Sequence, residues 1–194
     1  MDAQLQAVID DLELAGRQLR ALYRALPAAA WSDQPAQGRW SAAECVAHLN
    51  LTSAALLPLF QAGLREARVR GARTAGRYRR DLIGWLVWQV MRPSGGLKTA
   101  ALPAYVPSAG SAAPVEDLLE VFDRLQQELL ACVRDAEGLP IEQVTVVSPF
   151  DARVKVNLYA ALTLVARHQN RHLLQAERAA AACTTTSFAV PLPA

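Results

Sequence analysis

The sequence predicts an all-α protein whose four long helices form a single four-helix bundle. Hydrophobic residues make up 52% of the chain but aromatic residues only 6%, and alanine and leucine dominate, which favours helix over sheet. Apolar residues recur at three- and four-residue steps along four long segments, the periodicity of an amphipathic helix. The 194 residues support one substantial core. We therefore expect one domain over residues 1–182, followed by a C-terminal tail over residues 183–194.

The first helix is predicted from about Asp2 to Leu26, and Pro27 with the following WSDQPAQGR ends it. The second helix begins at Ser41. Ser41 and Glu44 form an S-x-x-E capping box, which satisfies free backbone N–H groups at a helix start. Pro58 is expected to kink this helix or to end it, because proline removes a backbone donor and crowds the preceding turn.

A long connection separates the second helix from the third. It contains an arginine-rich segment over residues 65–80, a short helix predicted in DLIGWLVWQVMR, and a loop rich in proline and glycine. A bundle with one long crossover accommodates such a connection. We interpret the arginine-rich segment as a solvated helix end and loop, with an anion, a nucleic-acid backbone or a membrane surface as alternative partners. Trp85 and Trp88 are interpreted as part of a lid packed over the bundle rather than as a membrane anchor.

The third helix is predicted to start after Pro114. Its apolar face consists of Leu118, Phe122, Leu125, Leu129 and Cys132. Gly138 and Pro140 end it, and the fourth helix runs from about Asn157 to Ala182. Between them, EQVTVV could form a strand, but an isolated strand has no partner, so we interpret it as an irregular connection.

Charge, cysteine content and hydropathy indicate which partners and which cellular compartment to expect. A net charge of +2 does not favour a nucleic-acid partner. The acidic, amphipathic N-terminus lacks the features of a signal peptide, and no apolar run reaches the roughly 18 residues of a membrane span. The three cysteines have no paired spacing, as expected for reduced thiols. We therefore expect a cytoplasmic protein without a membrane segment.

The chain has three histidines, and all three fall on stripes that are predicted to face the interior. His168 and His172 lie four residues apart in RHQNRH, in line with apolar residues of the fourth helix and with Gln175. His48 lies on a similar stripe of the second helix. A lone inward histidine is typically a hydrogen-bonded core residue. Three together, with none elsewhere, favour a divalent metal site, because burying three imidazoles without a partner is costly.

The two histidine segments resemble motifs of the DinB-like superfamily. RWSAAECVAHLNL is similar to its W-s-x-x-E-x-x-x-H-l segment, with Trp40, Ser41, Glu44 and His48 in place. ARHQNRHLLQAER is similar to its H-x-x-x-H-x-x-Q segment, with His168, His172 and Gln175 in place. The proline-rich entry to the third helix also looks like that of the family. The resemblance covers nearly the whole chain.

The resemblance implies an up-down-down-up four-helix bundle with a metal held by His48, His168 and His172. Such proteins are commonly homodimers, and characterised members include transferases and isomerases that use a low-molecular-weight thiol (bacillithiol, mycothiol or glutathione). Numerous relatives carry glutamate directly after the first histidine of the pair, where this chain has Gln169. If that position tunes the site or supplies a base in the family, the role is weakened here.

We interpret the chain as a metal-dependent enzyme acting on a small molecule, either a transferase by thiol S-transfer or a hydrolase. Nitrogen ligands suit Zn²⁺ or Ni²⁺. Glu44 is a candidate general base or only a capping residue, Gln175 a candidate hydrogen-bond partner of the site, and Cys45 an extra ligand or a small buried hydrophobe. The rival hypothesis is a non-catalytic helical bundle, with a structural metal or none, that acts through a partner.

Overall fold

The computed structural model describes residues 1–72, 76–92, 105–107 and 114–186. These residues form helices α1 (Ala3–Ala25), α2 (Ala42–Arg70), α3 (Leu82–Val90), α4 (Val115–Asp135) and α5 (Leu158–Thr186), together with strands β1 (Thr145–Val147) and β2 (Lys155–Asn157). Short 3-10 helices occur at Ala28–Trp31 and Ile141–Gln143. The prediction of an all-α bundle built on four long helices is confirmed. The predicted short helix in the crossover corresponds to α3, and the loop and tail residues outside these ranges are not described.

The buried side chains fall into two clusters, one at each end of the bundle. The first joins the start of α1, the ends of α2 and α4, and the start of α5. The second joins the end of α1, the starts of α2 and α4, and the later part of α5. Consequently α1 and α5 run in one direction and α2 and α4 in the other. This is the up-down-down-up order that the family resemblance implied.

Helix α2 starts as predicted but ends later. Ser41 Oγ accepts from the Glu44 N–H at 3.2 Å, and Glu44 Oε2 accepts from the Ser41 N–H at 2.7 Å, so the capping box is confirmed. Of the two outcomes expected at Pro58, a kink or an end of the helix, the end is excluded, because α2 continues through it to Arg70. Pro58 and Ala54 are both exposed, so water can hydrate the carbonyl group that loses its helical partner.

The later part of α2 includes the first residues of the arginine-rich segment, 65–70. Arg68 Nη2 lies 2.7 Å from Asp135 Oδ2 at the end of α4, and Arg70 lies 2.6 Å from Glu66 one turn earlier. These arginines are exposed, in agreement with the interpretation of a solvated helix end. Helix α2 also contains an 18-residue window with a mean hydropathy of 1.2, which is long and apolar enough to cross a membrane, so the expectation that no apolar run reaches that length does not hold for this helix. Half of that apolar window is buried in the protein, as in a core helix.

The interpretation of EQVTVV as an irregular connection is wrong. Its last residues form β1, which pairs antiparallel with β2 in a short hairpin. Val146 lies opposite Val156, and both side chains are buried against the bundle. The partner strand is only three residues long and ends directly at α5, and its last residue, Asn157, is where the fourth helix was predicted to begin. The Asn157 side chain then caps α5 by accepting from the Ala160 N–H at 2.8 Å.

Helix α3 is fixed to the start of α5. Asp81 caps it, with Oδ1 accepting from the Gly84 N–H at 2.6 Å and Oδ2 accepting from the Asn157 N–H. Gly84 faces Ala160 so closely that a Cβ at this position would collide with the alanine side chain. The prediction of a packed lid holds for the half-buried Trp88, whereas Trp85 is 47% exposed.

Candidate metal centre

The two inward stripes bring all three histidines together between α2 and α5. His48 Nε2 lies 3.3 Å from His168 Nε2. The His172 ring lies 4.6 Å from the His48 ring and 4.5 Å from the His168 ring, measured between centroids. One nitrogen of each ring can be chosen so that all three lie within 4.8 Å of one another. Histidines that are 120 residues apart in sequence are therefore close enough to share one ion.

Two hydrogen bonds orient the rings. His48 Nδ1 lies 2.6 Å from the Tyr105 carbonyl oxygen, which can only accept, so the ring proton of neutral His48 is on Nδ1. His172 Nδ1 donates in the same way to Gln175 Oε1 at 3.1 Å. In both rings Nε2 consequently carries the lone pair that can bind a metal. This is the arrangement in which metal-ligating histidines are held by outer hydrogen-bond partners.

The surroundings keep the three imidazoles neutral. Burial lowers the pKa of His48 from its usual value, although the Tyr105 carbonyl opposes this effect. The pKa of His168 is lowered well below the usual 6.5, by burial first and then by the neighbouring histidines and Arg171. Burial, His48 and Arg171 lower the pKa of His172 to about 3. At neutral pH all three rings are in the unprotonated form that binds metals.

The donor set fits a divalent transition metal. Two nitrogens that each bind a tetrahedral zinc at about 2.0–2.1 Å lie roughly 3.3 Å apart, and the His48 and His168 Nε2 atoms have this separation. Without a cation, that contact requires a proton between the two nitrogens. Three neutral nitrogens suit Zn²⁺ or Ni²⁺. Within the described residues the cluster contains only the three histidines, so coordination positions stay open, as in catalytic rather than structural zinc sites.

Trp40 and the Tyr105 segment enclose the histidines. The Trp40 ring lies 4.8 Å from the His48 ring and 5.9 Å from the His172 ring, so it forms an apolar wall. Tyr105 is anchored by an edge-on contact of 4.7 Å with Phe150. The role of Tyr105 could not be predicted from the sequence, because a backbone carbonyl contributes through its position and leaves no signal in residue type.

Glu44 and Cys45 have other roles in the described structure. Glu44 accepts from the Ser41 N–H and, with both carboxylate oxygens, from the Gln34 side chain at 3.0 Å, which matches its interpretation as a capping residue. Cys45 is fully buried in the second apolar cluster, and burial raises the pKa of its thiol to about 12. Its environment is that of a small hydrophobe, and it is not a member of the histidine cluster.

Gln169 belongs to a buried polar contact rather than to the histidine cluster. Its Nε2 donates to Gln126 Oε1 at 2.8 Å, and Gln126 Nε2 donates to the Leu12 carbonyl. These two hydrogen bonds connect α5 to α4 and α4 to α1. The glutamine at the position where numerous relatives carry glutamate thus has a structural partner here.

Comparison with protein families gives a match to the DinB superfamily over residues 11–176. The matched range contains the three histidines, Trp40 and Gln175. No match was found among curated proteins or among solved structures.

Proposed function

The chain belongs to the DinB superfamily, and from that premise we propose that it is a metal-dependent enzyme acting on a small molecule at His48, His168 and His172. The observation that carries the proposal is the convergence of three imidazoles with, among the residues that the structure describes, no fourth histidine, cysteine or carboxylate ligand in the cluster. We propose Zn²⁺ or Ni²⁺ as the ion, since both accept nitrogen ligands. When bound, such an ion lowers the pKa of a water or thiol toward neutrality and so provides a nucleophile.

The residues around the histidines have separate roles in this proposal. The Tyr105 carbonyl and Gln175 hold the rings in the tautomer whose Nε2 can bind the ion. Trp40 excludes water from one side and offers an apolar surface to the substrate. Arg171 lowers the pKa of both histidines of α5, and its positive charge would favour a substrate that is negatively charged.

We propose thiol S-transfer or hydrolysis as the reaction class, with a low-molecular-weight thiol as cosubstrate in the first case. The chain offers no reactive thiol of its own near the histidines, since Cys45 is buried with a raised pKa. A thiol nucleophile would therefore come from a small molecule. The proposal also includes a cytoplasmic homodimer without a nucleic-acid or membrane partner, in keeping with the free cysteines and the small net charge.

Metal analysis of protein purified without an affinity tag, combined with an activity screen, tests the proposal. The wild type is expected to carry a stoichiometric ion and to consume bacillithiol, mycothiol or glutathione with a panel of electrophiles, or to hydrolyse esters or amides. His168→Ala should lose both ion and activity. Gln127→Ala, an exposed change on α4, should retain both. A folded, metal-free wild type that is insensitive to chelators would instead favour the non-catalytic bundle.

A further inference from the structure

A cavity of about 230 Å³ lies between α1, α3 and α5, and none of the three histidines lines it. Its lining includes six residues with charged, polar or aromatic side chains: Asp11, Arg80, Trp88, Thr163, Arg167 and Asn170. A water molecule occupies roughly 30 Å³ in the liquid, and pockets for drug-sized ligands start at about 300 Å³. The cavity is therefore large enough for a small metabolite but not for a large one.

Two arginines are held against the same aromatic ring in this cavity. The guanidinium carbon of Arg167 lies 3.7 Å from the Trp88 ring centroid, and that of Arg80 lies 4.6 Å from it. Arg80 Nε also donates to Thr163 Oγ1 at 2.8 Å. Such cation–π contacts fix the orientation of both side chains. The two guanidinium groups are thus positioned before any ligand arrives.

The positive charge of these arginines is not balanced within the described part of the chain. Neither Arg80 nor Arg167 forms an ion pair with a described carboxylate, and Arg167 Nε is buried without a hydrogen-bond partner. After burial, the positive charges of Arg92 and Arg80 lower the pKa of Arg167, whereas Asp11 opposes them. Among the described residues, Asp11 acts electrostatically on Arg167 without forming an ion pair with it.

We propose that this cavity binds the oxyanion group, carboxylate or phosphate, of a small metabolite through Arg80 and Arg167. A planar guanidinium presents paired N–H donors that match the oxygens of either group. Two like charges close to one ring repel each other, and an anion bound within reach of both offsets that repulsion. The buried and unpaired Asn170 Oδ1 marks a second polar contact for the same ligand, to a hydroxyl or N–H group.

Titration of the full chain with inorganic phosphate and with succinate, followed by the shift of the Trp88 indole N–H resonance, tests the proposal. Sodium chloride at equal ionic strength gives the background, and Trp88→Phe assigns the resonance among the four tryptophans. Arg80→Gln and Arg167→Gln should each weaken binding about tenfold, the effect of losing a charge-assisted hydrogen bond. Arg65→Gln removes the same charge from an exposed site on α2 and should change affinity by about twofold or less.

Asp11→Asn provides a test in which the expected change is a gain of anion affinity rather than a loss. This change removes the negative charge that faces the arginines, so it should tighten binding severalfold. A response to phosphate alone or to succinate alone supports the proposal and identifies the oxyanion. The proposal is overturned if neither ligand shifts the Trp88 signal beyond the chloride background. It is equally overturned if all three arginine variants lose affinity alike, or if Asp11→Asn weakens binding.

Discussion

Gln175 allows the hydrogen-bond support of the histidine cluster to be tested without removing a ligand. Its Oε1 is the acceptor that keeps the proton of His172 on Nδ1, at 3.1 Å, and Gln175→Ala removes it. Loss of such an outer partner weakens metal affinity by about tenfold to a hundredfold. Here the acceptor is a neutral amide, its hydrogen bond is longer than the 2.6 Å bond of His48, and only one of three rings is affected. We therefore expect about tenfold, or roughly 1.4 kcal/mol.

The assay is a zinc titration against a chromogenic chelator at neutral pH. Gln127→Ala deletes the same side chain from the exposed surface of α4 and serves as the matched control, with unchanged affinity expected. Gln175→Glu should restore wild-type affinity or exceed it, because a carboxylate accepts the same proton more strongly. Equal zinc affinity of wild type and Gln175→Ala, with both proteins folded, would refute the claim that this hydrogen bond orients a ligand.

Three further outcomes follow from the described contacts. The unfolding free energy of the metal-free protein should fall as the pH falls from about 6.5 to about 3, because the pKa of His172 is lowered to about 3 and the unfolded chain binds more protons in that pH range. Urea titrations should give a slope of about 1.4 kcal/mol per pH unit for each such histidine. An unfolding free energy that does not change with pH would contradict the burial of the ring. Asp81→Ala, which removes the α3 cap and the acceptor for the Asn157 N–H, should cost about 2 kcal/mol or more in the same assay; a cost below roughly 0.5 kcal/mol would contradict this anchoring. A thiol reagent should modify Cys183 in the native protein and Cys45 only after unfolding, since Cys45 is fully buried with its pKa raised to about 12; native-state modification of Cys45 would show that this part of the core opens.

The parts of the fold that depend on local chemistry could be predicted from the sequence. The capping box at Ser41 depends on two residues three positions apart, and the stripe through His168 and His172 depends only on helical periodicity. Each feature can therefore be recognised from the sequence of one short segment. The meeting of His48 with the other two rings was inferred from two inward stripes and from the family resemblance, and the described geometry agrees with it.

The features that were missed depend on contacts between distant segments. Whether Pro58 ends α2 is decided by its exposed position, where water replaces the lost hydrogen bond. The hairpin depends on pairing between Val146 and Val156, which a turn separates, and neither short strand has a strong β-strand sequence pattern of its own. Tyr105 contributes a carbonyl group, and Trp88 becomes significant only because two arginines reach its ring.

X-ray absorption spectroscopy of the zinc-loaded protein would show whether His48, His168 and His172 bind one ion together, because it reports the atoms bound to the ion. We expect the ion to be bound by three imidazole nitrogens at about 2.0–2.1 Å and by no sulfur, and we expect His168→Ala to lose one imidazole. A wild-type protein that takes up no divalent ion, or whose bound zinc has sulfur neighbours and an unchanged spectrum in His168→Ala, would contradict this expectation.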